Sequence, residues 1–209
     1  METHANQTTF RSYLFFWSGQ LVSLLGSSIS QFVIIWWITL ETESTLYLSL
    51  AAFLGLAPIV LMSPFTGVFV DRWSRKKLIG IADFLQAMAT LGLIALFSLG
   101  SISIWQVLVV LTLKGVLQAF HYPAVAATTP LMVPREKLSR MNGVNFLFNG
   151  AINLIGPIVA ALLLGVLEIS QILWVDVITF VIAVVPLLLI VIPSLREKHE
   201  QSSFRREFS

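Results

Sequence analysis

Six long apolar stretches dominate this chain and limit what it can fold into. A helix that crosses a bilayer needs about 20 mostly apolar residues, and each stretch is that long. The stretches are Tyr13–Leu40, Leu46–Val70, Leu78–Leu99, Ile104–Ala127, Val144–Leu167 and Ile172–Ile192. Because the links between them are short, neighbouring helices are expected to run antiparallel. The sequence therefore predicts an all-α membrane protein with six transmembrane helices.

Composition supports the same conclusion. Only 24 of the 209 residues are charged, 56% are hydrophobic, and the mean hydropathy is +0.86. A soluble domain of this size has too little interior for so much apolar surface, and disordered chains are poor in aliphatic residues. The chain has no cysteine, which excludes disulfides and thiolate chemistry.

The basic residues predict how the chain is oriented in the membrane. Twelve of the 13 lie in the N-terminal tail, the second and fourth links and the C-terminal tail. Lys and Arg collect on the cytoplasmic side, so we expect both termini in the cytoplasm of a multi-pass protein of the cell membrane. The expected organisation is a tail over residues 1–12, a six-span domain over 13–193, and a cytoplasmic tail or truncated linker over 194–209.

The second link carries the most distinctive run of residues, which begins at Gly67 and ends at Leu78. A glycine lets two helices approach closely, and a carboxylate such as Asp71 is favoured near a helix N-terminus. Arg75 is able to pair with a carboxylate on a neighbouring helix. An alternative is that the basic residues of this link only set the topology.

This run resembles the cytoplasmic signature of the major facilitator superfamily, except that Ser74 stands where the superfamily usually has Gly. The resemblance implies a conformational latch formed by Gly67, Asp71, Arg72, Arg75 and Lys76. It also implies that the fold is one half of the major facilitator fold, built from two three-helix repeats.

Further segments strengthen the resemblance over residues 10–193. The run from Lys114 to Ala124 looks like the fourth helix of drug and siderophore exporters, although those usually begin with Arg. Residues 133–143 resemble their fourth link, residues 175–180 resemble their sixth helix, and Gly156-Pro157 resembles the antiporter signature of the fifth helix, which implies a helix-packing role. The most similar branch contains macrolide-efflux and enterobactin exporters. Its members have twelve spans, and this chain has six.

Polar stripes mark one face of several predicted helices, at the spacing that a helix requires. The first span carries Gln20, Ser23, Ser27, Ser30 and Gln31. The fourth carries Lys114, Gln118 and His121, and the fifth carries Asn142, Asn145, Asn149 and Asn153. These stripes predict a substrate or proton path that contains Gln20, Lys114, Gln118, His121, Asn149 and Asn153. The alternative is hydrogen bonding between helices inside the bundle.

Four titratable residues lie within the predicted spans. Lys114 lies about 15 Å into its span, near the bilayer midplane, where a cation is a candidate for function. It binds substrate, changes protonation, or pairs with Asp83, with Asp176 or with a backbone carbonyl. For Asp83 we expect a pair with Arg75 or another loop base rather than proton carriage. His121 titrates in the physiological range, but a lone helical His is more often structural.

The expected function is transport of a small molecule, as proton-coupled export of a drug-like or siderophore-like substrate by an alternating-access carrier. The alternative is a truncated membrane fragment or assembly subunit without transport. No metalloprotease, nucleophile-elbow or P-loop motif occurs, so we expect no enzyme, no cofactor and no metal site. The expected partners are the lipid bilayer, substrate, protons and a second six-span half, from the same or a different chain, and no nucleic acid.

Overall fold

The computed structural model describes residues 7–193, which form six long helices and one short one. Their bounds are α1 Gln7–Thr42, α2 Thr45–Arg72, α3 Arg75–Ser98, α4 Ile104–Ala126, α5 Thr129–Met132, α6 Arg135–Leu164 and α7 Ile169–Leu189. The six long helices are all long and apolar enough to cross a membrane. The predicted all-α, six-span architecture is confirmed over the described residues.

Two helix ends differ from the ends of the predicted apolar spans. The sixth span ends at Leu189 rather than Ile192, and the predicted link of residues 128–143 is much shorter, because α6 begins at Arg135 directly after Pro134. The first residues of α6 are polar, so hydropathy alone does not distinguish them from a loop. The same effect extends α1, whose 36 residues span about 54 Å at about 1.5 Å per residue.

Neighbouring long helices alternate in direction because the links between them are short. We name the end of the bundle at which α1 and α3 begin, and α4 and α7 end, the near end. The opposite end is the far end. The turns at the far end use two left-handed backbone positions, Glu43 with φ 46° and Gly100 with φ 62°.

The packing pattern shows two three-helix repeats, α1–α2–α3 and α4–α6–α7. The first helix of each repeat packs on the second helix of the other, in the pairs α1–α6 and α4–α2. It also packs on the third helix of the other repeat, in the pairs α1–α7 and α4–α3, and the two third helices pack together. Because α1 and α4 run in opposite directions, the repeats are inverted relative to each other, as in one half of the major facilitator fold.

Apolar clusters fill both ends of this bundle. At the near end, Tyr13, Phe16, Ile79 and Leu187 are buried together, and at the far end Ile34, Leu93, Val107 and Leu173 are buried. The buried polar side chains of α1, α3 and α7 lie between these two clusters along the helices. The fold therefore places a polar interior near the middle of the membrane-spanning segment.

Candidate functional site: two buried polar layers

The first polar layer, here called the lysine layer, surrounds the carboxylate of Asp176 on α7. Lys114 Nζ lies 2.9 Å from Asp176 Oδ2, and the side chains are only 15% and 7% exposed. Thr90 donates to the same oxygen at 2.7 Å, while Ser27 donates to Oδ1 at 2.7 Å. Four helices thus meet at one carboxylate, whose charge is matched by Lys114 and whose oxygens accept from three donors.

The second layer, here called the histidine layer, surrounds the carboxylate of Asp83 on α3. His121 Nε2 of α4 lies 2.8 Å from Asp83 Oδ1, and the side chains are 14% and 6% exposed. Gln20 of α1 donates to Oδ2 over a longer distance of 3.4 Å. The contact with His121 has ion-pair length but lacks hydrogen-bond alignment, and Nδ1 of the ring has no hydrogen-bond partner within residues 7–193. Asp83 is therefore held less completely than Asp176.

This arrangement corrects the expected pairing of Asp83. The expected partner was Arg75 or another loop base, whereas the structure places Asp83 against His121. Arg75 is half-buried two turns away in the first turn of α3, and its Nε has no hydrogen-bond partner in the described part of the chain. Lys114 adopts one of the alternatives, the pair with Asp176.

The polar stripe of α1 also lies differently from expectation. Gln20 and Ser30 are buried and Ser27 bonds to Asp176, so this part of the stripe faces the inside of the bundle, whereas Gln31 is exposed. The two carboxylates on α3 and α7 explain this orientation, because they need donors from α1. Gln118 lies on the same face of α4 as Lys114 and His121 and is half-buried.

The asparagine stripe of α6 lies partly at the surface. Asn145 accepts a hydrogen bond from Trp17 and lies 3.4 Å from Tyr13 Oη, and Tyr13 in turn meets Thr129 at 3.0 Å. Asn149 donates to the carbonyl of Asn145 in its own helix, and Asn153 is exposed. Within residues 7–193, the asparagine stripe therefore makes no hydrogen bond to either polar layer.

The run at the second link divides into separate roles. Lys76 donates to the carbonyl oxygens of Leu188 at 2.8 Å and Ile190 at 2.6 Å, so it caps the C-terminal end of α7. Gly67 gives no close helix approach within the described bundle, because an added Cβ there meets nothing within 4 Å. The expected close contact at Gly67 is thus absent from this part of the chain.

Arg72, Trp73, Ser74 and Lys77 of this run are exposed. A cavity of about 550 Å³ is lined by Arg72, Trp73, Ser74, Lys77 and Ile81. Ser74 has φ −64° and ψ 115°, an extended backbone that needs no glycine, which explains why Ser fits where the superfamily usually has Gly. The side chain of Asp71 lies outside the described residues.

Gly156 of α6 lies close to α1, where an added Cβ would approach Ser28 Oγ to 2.2 Å. Pro157 follows it inside the helix and is half-buried. This contact belongs to the α1–α6 packing and is separate from both polar layers.

Sequence reasoning missed the histidine layer and the part that Thr90 plays in the lysine layer. A signal was present, because α1, α3 and α4 each place two of the polar residues seven positions apart. The pairs are Gln20 and Ser27, Asp83 and Thr90, and Lys114 and His121. Seven residues are close to two helical turns, so each helix contributes one residue to each layer.

An inverted pair of three-helix repeats with charged side chains buried between them defines a class, the six-helix half of a secondary transporter. Comparison with known sequences agrees with that class. The Major Facilitator Superfamily model matches residues 16–208, and the chain belongs to this superfamily.

Individual relatives are transport proteins. The chain is 38% identical to macrolide efflux protein A of Streptococcus pyogenes over 184 residues, which are 87% of this chain and 45% of the relative. It is 37% identical to macrolide efflux protein A of Enterococcus faecalis over 147 residues, 69% of this chain and 45% of the relative. It is 29% identical to the staphyloferrin A transporter of Staphylococcus aureus over 156 residues, 73% of this chain and 38% of the relative. The chain therefore spans less than half the length of these relatives.

Proposed function

We propose that this chain is one half of an alternating-access carrier that exports a small molecule in exchange for protons. The observation that carries the proposal is a buried cation, Lys114, paired with Asp176 in the middle of a major facilitator half. Charges at this depth are costly and mark ion or substrate pathways in membrane proteins. The names of the relatives suggest macrolides first, with siderophores as a second substrate class.

The carrier needs a second six-span half, from the same or another polypeptide. One support is that the chain covers 45% of the length of macrolide efflux protein A of Streptococcus pyogenes. The other is that α2 and α6 bury little of their apolar surface inside the bundle. Only 6% of the most apolar 18 residues of α2, and 17% of those of α6, are buried. The substrate path that we propose lies beside Lys114, Gln118 and His121, which keep partial exposure on α4. The run Gly67, Asp71, Arg72, Arg75 and Lys76 is proposed as the latch against the second half.

The test is macrolide transport by the 209-residue chain in liposomes with an imposed pH gradient. We expect uptake of a labelled macrolide that rises with the gradient, together with cross-linked dimers at single cysteines placed on α1 and α4. The matched control is the same liposome with the gradient collapsed by an ionophore. A stable monomer without flux would contradict the proposal for this chain and favour the alternative of a non-transporting fragment.

Orientation is a separate prediction with its own test. The chain has no native cysteine, so single cysteines at Glu41, Ser74 and Ser101, which are all exposed, are addressable one at a time. Because the basic residues mark the near end as cytoplasmic, a membrane-impermeant thiol reagent added to intact cells should label Glu41→Cys and Ser101→Cys. Ser74→Cys should react only after permeabilisation. Labelling of Ser74→Cys in intact cells would reverse the orientation.

A further inference from the structure

The two polar layers form a ladder with a regular step. Three helices place a residue in each layer, with seven positions between the two residues. At about 1.5 Å per residue the layers lie about 10.5 Å apart. On α7, Asp176 lies in the lysine layer, while Ala183, seven residues later, is fully buried at the level of the histidine layer. Each layer thus contains one carboxylate, from α7 in one layer and from α3 in the other.

The two carboxylates occupy corresponding places in the two repeats. Asp176 lies on the third helix of the second repeat and Asp83 on the third helix of the first. Each carboxylate contacts one residue of α1 and one of α4, namely Ser27 and Lys114 for Asp176, and Gln20 and His121 for Asp83. Both bases come from α4, so the two layers, rather than the two repeats, differ in the chemistry of the base. A free imidazole has a pKa close to neutral pH, whereas the pKa of a free lysine lies well above it.

Uncharged polar side chains lie between the two layers. Ser23, Gln86 and Gln118 lie one turn from each layer, on the helix faces that carry the ladder. All three are half-buried, and none of the three side chains makes a hydrogen bond within residues 7–193. Groups that both donate and accept are suited to hold water between the layers. Apolar clusters close the ladder at both ends, and Lys114 and His121 of α4 are each more exposed than the carboxylate that they contact.

Few charged groups lie near His121 among the described residues. Asp83 on α3 is the one charged group in contact with it, and Gln20 of α1 is neutral. Lys114 and Asp176 lie two turns away and neutralise each other. The described charged residues of α2 and of the first turn of α3 all lie at the near end of the bundle. They are Arg72, Arg75, Lys76 and Lys77, and Lys76 caps the end of α7.

We propose that Asp83 and His121 together form a proton-binding site, and that the Lys114–Asp176 pair is a permanently charged support for it. With the ring protonated, the pair carries no net charge. When the ring gives one proton to water, a buried carboxylate is left beside a neutral imidazole, and its single described hydrogen bond, from Gln20, is long. An unpaired buried carboxylate is unfavourable, so loss of the proton favours a conformation in which water reaches Asp83. As the coupling step of the carrier, this site rests on the proposed function.

Proton binding is testable without transport. The sequence contains three histidines, so a His4→Gln/His199→Gln background leaves His121 as the only imidazole. In lipid nanodiscs, ¹⁵N NMR of the ring should show reversible protonation between about pH 5 and pH 8. Asp83→Asn should lower the protonated fraction throughout that range, because the amide no longer favours the imidazolium. Asp83→Glu, which keeps the carboxylate, should restore it. Equal titration curves for the parent chain and Asp83→Asn would overturn the site.

Transport then separates this site from the proposed function. In the pH-gradient liposome assay, His121→Lys copies the chemistry of the lysine layer, so we expect the pair to persist and gradient-driven flux to fall to the level of empty liposomes. Flux that keeps its gradient dependence in both Asp83→Asn and His121→Lys would overturn the site and leave the carrier function standing. A parent chain without flux, whose ring still titrates with dependence on Asp83, would overturn the proposed function and support the proton site.

Discussion

Replacing Lys114 with methionine should lower the free energy of unfolding by about 3–5 kcal/mol, the usual cost of breaking a buried ion pair from one side. Methionine keeps an unbranched apolar stem, one atom shorter than lysine, but removes the charge 2.9 Å from Asp176. Among residues 7–193, the carboxylate then keeps only the hydroxyl groups of Ser27 and Thr90 as donors. The measurement is the midpoint of SDS-induced unfolding of the chain in mixed micelles.

The matched control removes both charges. Lys114→Met combined with Asp176→Leu leaves no buried charge, so most of the lost stability should return, and a double-mutant cycle gives the coupling energy of the pair. Thr90 loses little in that background, since its one hydroxyl proton then has the carbonyl oxygen of Gln86, 3.2 Å away, as an alternative acceptor. If the single variant unfolds at the same SDS concentration as the parent chain, Lys114 and Asp176 do not form a buried pair in the bilayer.

The fold was predictable because each apolar run has the length that a helix needs to cross the bilayer. Six apolar runs gave six helices in the right order, and the short links gave their alternating directions. Hydropathy does not report where a helix ends, however. The segment from Arg135 to Gly143 is helical although it is polar, because Pro134 suits a helix start and the backbone hydrogen bonds continue outside the apolar core.

The residues of the two layers were visible in the sequence, but most of their contacts were not. Asp83 lies close in sequence to Arg75, which favoured a local pair, yet its rotation about α3 points it at α4 and His121. A helical pattern shows which residues share a face, but not which neighbouring helix that face meets. The shared seven-residue spacing on α1, α3 and α4 carried this information, because only layers at matching depths explain three coincident spacings.

The second large effect is expected at Gly115 of α4, where α2 and α4 are in direct contact. A Cβ added there would lie 2.6 Å from the carbonyl oxygen of Gly55 and 3.3 Å from Pro58 Cγ. The obstructing atom belongs to the backbone and cannot rotate away, so the two helices must separate. Gly115→Ala should therefore lower the free energy of unfolding by about 1–3 kcal/mol, and a larger residue should cost more.

The same contact supplies a control substitution whose expected effect on stability has the opposite sign. Gly55 is the partner in that contact, but a Cβ added to Gly55 itself meets nothing within 4 Å. Alanine is favoured over glycine in a helix by about 0.5–1 kcal/mol, so Gly55→Ala should be neutral or stabilising in the same SDS titration. If α2 and α4 pack as described, one added methyl group thus destabilises the bundle on α4 and not on α2. Equal effects at the two positions would show that the helices do not meet through the face of Gly115, and the pairing of the first helix of one repeat with the second helix of the other would need revision.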